Sequence, residues 1–436
     1  MLKRLISRRS FLQAGSGAML AACATPIKLA EPPTLYRVGA TFPQADVPAA
    51  LRTVAPEIFY VTDRAPLMQA GQLAGYSHKR SSSMAFGAAR VRFGNIASWA
   101  ELVSRSEAGA RQRQVMTAES YREIVRFPAT PLPFVQGASG RIVAEPAALA
   151  RYGADVATLQ AGFRAALRGA ARKEALIFVH GFNNEMDDGL TTTASLWHYA
   201  GRIGVPVSYS WPAGNKGLTA YFKDRESGEF STYHLKEFLR ALAAIPELEK
   251  INIVAHSRGA DVLASALREM VIFEMGAGRD ARRSLKIDTL ILAAPDLDFG
   301  VVQQRLAAEG TAAAVRQITV YLNPRDGALG LAQALATGQR VGRLSPDKLT
   351  ESDWTQLNEL RNVYFIDVEN AGNKLGHAYF RDNPAVLSDV ILTLRTGALP
   401  GGTDRPLEQI RGNFWRMHAN YPGPRVVVEL KRNSGQ

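Results

Sequence analysis

Ile251-Asn252-Ile253-Val254 runs directly into Ala255-His256-Ser257-Arg258-Gly259, and residues 260–270 continue behind it with helical spacing. The β-branched apolar run has the mark of a buried strand. A strand, a five-residue turn centred on serine and a helix together make a nucleophile elbow, which lifts the serine Oγ above the sheet. Ala255 and Gly259 are small enough for strand and helix to pass close together. Ala255 stands where the commoner G-x-S-x-G form has glycine, a difference of one methyl. The helix N-terminus sets the positive end of its dipole beside the place where an oxyanion would form.

Working outward, further short apolar runs are predicted as strands. They are Ala175–Val179, Pro206–Trp211, Ile287–Ala294, Gln317–Leu322 and Val363–Asp367, the last taken as the final strand. Helical stretches lie between them at 188–203 and 232–243, and Asn383-Pro384 opens a further helix that Gly397 closes. This alternation predicts an α/β fold, a mostly parallel central sheet with helices on both faces. Upstream, Glu57–Thr62 and Met84–Gly94 read as the first strands. The polar stretch 76–83 between them reads as a loop, and residues 147–171 as a helix apart from Gly153 and Gly162. Residues 95–150 and 399–436 resist assignment, save a strand-like run at 425–430.

The chain of 436 residues has an ordinary apolar fraction and a net charge of +12. Setting aside Lys3, Arg4, Arg8 and Arg9 leaves +8 for the remainder. No basic run is interleaved with aromatics, so no nucleic-acid partner is expected. One cysteine, Cys23, rules out an internal disulfide framework. No His-Glu-x-x-His or clustered ligand spacing occurs, and neither a metal nor another cofactor is expected.

The N-terminus carries its own signals. Residues 1–22 begin basic, pass through Ser7-Arg8-Arg9-Ser10-Phe11-Leu12 and become weakly apolar, which resembles a twin-arginine export signal. Leu20-Ala21-Ala22-Cys23 resembles a bacterial lipoprotein cleavage box. That resemblance implies cleavage before Cys23, a diacylglycerol on its thiol and membrane anchorage at the bacterial envelope. Ala24, rather than Asp, resembles the outer-membrane form of a Gram-negative host. Residues 23–35, with Pro26, Pro32 and Pro33, are expected to be a lipidated tether. Residues 36–398 are the expected catalytic domain, with its core at 172–398, and 399–436 a tail. No later stretch reaches the roughly 18 unbroken apolar residues of a membrane span.

Chemistry-bearing residues fall at strand ends in the order Ser, Asp, His, and sites in such sheets gather at the carboxyl ends of strands. Ser257 is the candidate nucleophile and His377 the candidate general base. The carboxylate that orients His377 is Asp326, after the penultimate strand, or alternatively Asp296, one strand earlier. His78, His180, His198, His234 and His418 read as structural, His256 as packed beneath the elbow, and Trp211 as a core or pocket-wall residue.

Five stretches carry a resemblance. They are Phe59-Tyr60-Val61-Thr62-Asp63-Arg64, Val179-His180-Gly181-Phe182-Asn183, Ser210-Trp211-Pro212, Ala255-His256-Ser257-Arg258-Gly259 and Gly376-His377. Together they resemble a bacterial α/β-hydrolase family of unknown function, esterase- or lipase-like, over roughly residues 55–395. The resemblance implies a serine hydrolase of small-molecule or lipid-like esters. It also implies an oxyanion hole built from the N–H groups of Phe182 and Arg258. Amidase, thioesterase or acyltransferase chemistry from the same residues stays open, as does a non-catalytic binding role for the fold.

Overall fold

A computed structural model describes residues 27–108, 114–217, 219–336, 338–369 and 376–423. The export signal, Cys23 and the run 425–430 lie outside the described residues. Thirteen strands are described: β1 (Glu57–Gln69), β2 (Gln72–Arg92), β3 (Thr117–Arg126), β4 (Phe134–Gln136), β5 (Ile142–Ala144), β6 (Glu174–Val179), β7 (Val205–Ser210), β8 (Lys250–His256), β9 (Ile287–Ala293), β10 (Gln317–Leu322), β11 (Val363–Val368), β12 (Glu408–Arg411) and β13 (Phe414–Met417). Eleven of them form one sheet in the order β12-β13-β11-β10-β9-β8-β6-β7-β1-β2-β3, with β4 and β5 a separate hairpin. From β13 to β1 every neighbour is parallel, and antiparallel strands close both ends.

Strands covered on both faces need apolar side chains in both directions, so they read as continuous hydrophobic runs rather than alternating ones. In β6 the residues nonetheless divide cleanly. Ile177 and Val179 face one core cluster with Leu159 and Phe163 of α1 (Pro146–Gly169), Leu235 and Phe238 of α3 (Ala220–Ala243) and Leu263 of α4 (Gly259–Gly276). Leu176 and Phe178 face the other, with Leu190 and Trp197 of α2 (Met186–Tyr199) and Val386 and Ile391 of α6 (Pro384–Thr396). Asn383 caps α6 by accepting from the Ala385 and Val386 N–H groups, and Gly397 ends it with φ +64°. No described helix is long and apolar enough to cross a membrane.

The fold departs from the sequence reading in four places. Residues 76–83 are not a loop but the middle of β2, whose polar side chains are exposed along a ribbon near the sheet edge. The helix α1 runs unbroken through Gly153 and Gly162. Val363–Asp367 is not the last strand: β13 adds beside β11, and Arg405, in the supposed tail, is fully buried on α6 against Asp389. Nor is the expected tether free from residue 27 onward. Leu29 N–H donates to the Gln114 carbonyl, Lys28 bridges Val115, and Leu29 and Leu35 are buried. Short strands and isolated buried residues leave too little periodicity for sequence reasoning to catch.

Strand order reverses between β6 and β8: the chain steps outward from β6 to β7, then crosses back to β8 on the other side. Such a switch point opens a crevice at the carboxyl ends of the two strands. His180-Gly181 follows β6 and Ser257 follows β8, so the crevice brings them together.

Candidate active site

Ser257 has φ +53°, in the left-handed region that non-glycine residues seldom occupy. Its turn is pinned on both sides. Ser257 N–H donates to the Ala293 carbonyl at 3.0 Å, and Asp296 N–H donates to the Ser257 carbonyl at 3.1 Å. Strain of this kind persists only where the surroundings over-determine it. Two glycines make the turn possible. A Cβ on Gly259 would stand 2.3 Å from the His180 carbonyl oxygen, and one on Gly181 would stand 2.8 Å from Ser257 Cβ. The loop after β6 is thus in contact with the serine at the top of β8.

The imidazole of His377 bridges the serine to a carboxylate. His377 Nε2 lies 2.7 Å from Ser257 Oγ, and His377 Nδ1 lies 2.8 Å from Asp326 Oδ2. An ionised carboxylate only accepts, so Nδ1 carries the proton and Nε2 accepts from the serine hydroxyl. Asp326 is fully buried at the start of α5 (Gly327–Leu335), where its other oxygen accepts from Leu329 N–H. One carboxylate thus caps a helix and orients an imidazole. Asp296, the alternative acid, adjoins the same turn, but its carboxylate makes no hydrogen bond to His377. It is held by Tyr221 O–H at 2.9 Å and by the guanidinium groups of Arg258 and Arg340.

His256 sits beneath this group. Its ring is 4.7 Å from that of His377, and its Nε2–H donates to the His377 carbonyl at 3.0 Å. Burial, reinforced by the neighbouring His377, keeps its pKa well below the ordinary value, so it holds the backbone as a neutral group. Trp211 and His180 stack beside the elbow and are wholly buried, with Trp211 Nε1–H donating to the His180 carbonyl. His198 is likewise buried, His234 is bound to Asp63, and His418 lies between Glu369 and Glu408 at the surface.

Among the described residues, the N–H groups of Phe182 and Arg258 meet no protein acceptor. Arg258 follows Ser257 in sequence, and Phe182 follows Gly181, where an added Cβ would stand 2.8 Å from Ser257 Cβ. Phe182 packs edge-on against Tyr221. Beyond Arg258 opens a cleft of about 750 Å³, lined in part by Phe222, Arg225, Asp261, Leu297, Arg305 and Arg340. No group of three or more described His, Cys, Asp or Glu side chains is placed to hold a metal ion.

Sequence reasoning missed the groups that support this loop. Arg64, at the end of the sheet-bound part of β1, is 1 % exposed, and its guanidinium reaches Ser210 Oγ and the carbonyls of Ala213 and Asn184. Asp224, buried in α3, accepts from the N–H groups of Asn183, Gly214 and Asn215. The available signal was a pair of charges, Asp63-Arg64, just past Thr62 at the end of the apolar run Ile58–Val61.

No curated protein matches the chain. A family model described as an alpha/beta hydrolase of unknown function (DUF900) matches residues 155–395, more than half of the chain, and the chain belongs to that family.

Proposed function

We propose that the chain is a serine hydrolase of carboxylic esters. Ser257 Oγ attacks the ester carbonyl while His377 Nε2 takes its proton, and Asp326 steadies the imidazolium that results. The Phe182 and Arg258 N–H groups hold the developing O⁻ of the tetrahedral intermediate. Collapse expels the alcohol, which receives the proton from His377 and leaves an acyl group on Ser257. Water then repeats the sequence: His377 takes its proton, and the carboxylic acid departs as Ser257 Oγ is reprotonated. The observation that carries this reading is the continuous hydrogen-bonded line from Asp326 through His377 to a serine held at positive φ.

A fluorophosphonate probe should label Ser257, and Ser257→Ala should abolish labelling and lower ester turnover by about 10⁶-fold. Undiminished labelling of that variant would sink the assignment.

The same proposal sets the enzyme at the bacterial envelope, tethered through a lipid on Cys23. Its support is the coincidence of Ser7-Arg8-Arg9-Ser10-Phe11-Leu12 and Leu20-Ala21-Ala22-Cys23 with the one cysteine of the chain. Cys23→Ala should move the protein from the membrane fraction to the soluble fraction; an unchanged distribution removes the lipid from the account.

A further inference from the structure

Arg64 is buried with no ion-pair partner among the described residues, although burial costs a lone guanidinium dearly. Desolvation pulls its pKa down to about 10, so it stays charged at neutral pH. What offsets the cost is hydrogen bonding by all three nitrogens. Nε–H donates to Ser210 Oγ at 2.9 Å. Nη1 donates to the carbonyls of Ala213 at 2.8 Å and Ser77 at 3.3 Å. Nη2 donates to the Asn184 carbonyl at 2.8 Å and meets His180 Nε2 at 3.3 Å.

The last contact fixes the His180 tautomer. With Nε2 accepting, Nδ1 carries the proton and donates to the Gly181 carbonyl at 3.0 Å. Burial and the adjacent Arg64 charge push His180 down to about 3, so it stays neutral in that tautomer. A trans peptide points its N–H opposite to its C=O. Fixing the Gly181 carbonyl toward His180 therefore fixes the direction of the Phe182 N–H. Asp224 completes the hold, accepting from Asn183 N–H at 2.9 Å and from Gly214 N–H at 3.1 Å. Asn183 itself has φ +56°, a conformation that this bond helps to keep.

We infer that Arg64 and Asp224 are positioning residues that set the oxyanion loop 181–184, Arg64 through the His180 tautomer and the Asn184 carbonyl, Asp224 through the Asn183 N–H. The inference rests on the serine-hydrolase reading above. Neither side chain acts on substrate. Their effect is to hold a backbone donor where charge develops, and such preorganisation acts on the transition state rather than on substrate binding.

The test uses Arg64→Lys, which keeps the charge but loses the planar fork, and Asp224→Asn, which keeps the shape but brings amide hydrogens to face the loop's donors. In Arg64→Lys, kcat for a p-nitrophenyl ester should fall roughly 10²-fold with KM within about threefold. Ki for a trifluoromethyl ketone, which forms a tetrahedral oxyanion on the serine, should rise in parallel. The acid limb of the pH–rate profile should stay in place, because the His377–Asp326 contact is untouched. Asp224→Asn should show the same pattern at roughly tenfold, and carries the test alone if Arg64→Lys does not fold. A kcat within about threefold of wild type in folded Asp224→Asn, or in folded Arg64→Lys, overturns the inference while leaving Ser257 as nucleophile. A wild-type protein that hydrolyses no ester and takes no label at Ser257 overturns the parent reading and this one together.

Discussion

The molecule contains two Asp–His–hydroxyl lines of nearly equal geometry, and the proposed mechanism uses only one. In the first, Asp326, His377 and Ser257 are joined at 2.8 and 2.7 Å. In the second, Asp63 Oδ2 lies 2.9 Å from His234 Nδ1, and His234 Nε2 lies 2.9 Å from Thr130 Oγ1. The differences are in the surroundings. Ser257 stands on a strained turn at a helix N-terminus, and among the described residues the Phe182 and Arg258 N–H groups near that turn meet no protein acceptor. Thr130 lies in a loop after β3, and its single hydroxyl proton is also claimed by the Ser82 carbonyl at 3.1 Å. The His377 side chain is 21 % exposed and can meet a substrate, whereas that of His234 is 4 % exposed. Hydrogen-bond distances alone do not make a nucleophile. Under the proposed mechanism the difference lies in strain, access and backbone N–H groups placed for an oxyanion.

This contrast can be broken most sharply at the two carboxylates. Asp326→Asn should lower kcat by about 10⁴-fold through loss of the productive tautomer. Asp63→Asn should leave kcat within about twofold and instead cost roughly 1–3 kcal/mol of stability, as a buried hydrogen-bonded group loses its match. Steady-state rates and denaturant midpoints on both variants decide the matter, and equal rate losses would end the distinction. A third buried carboxylate extends it. Asp389 accepts from Arg405 Nε at 2.9 Å and Nη2 at 2.7 Å and from the hydroxyls of Tyr321 and Tyr421, with neither a histidine nor a serine among its carboxylate's described partners. Arg405→Ala should destabilise the fold by about 3–5 kcal/mol with turnover per folded molecule unchanged. A smaller shift in unfolding midpoint would mean that residues 399–423 are dispensable to the body.

The same contrast explains what sequence could disclose. The elbow was legible because Ile251–Val254, Ala255, Ser257 and Gly259 are neighbours in the chain, each with a local reason to be there. The parallel sheet was legible for the same cause, since strands buried on both faces read as unbroken apolar runs. The choice between Asp326 and Asp296 was not, because each follows a strand and only the loops decide which carboxylate meets His377. Arg64 was hidden more deeply. Its acceptors are mostly backbone carbonyls and a serine, up to 149 positions away in sequence, and a carbonyl carries no residue-type signal. The β12–β13 addition escaped notice because two four-residue strands give almost no periodicity.

Ile27 accepts from Met116 N–H next to the start of β3, at the end of the sheet opposite Ser257. From Cys23 to Ile27 the chain spans at most about 14 Å. A lipid at Cys23 would therefore act as a short leash on the underside of the sheet, turning the mouth of the crevice away from the bilayer. If the proposed lipid is present, substrates would reach the crevice from the aqueous side, with the acyl chains of the membrane behind it.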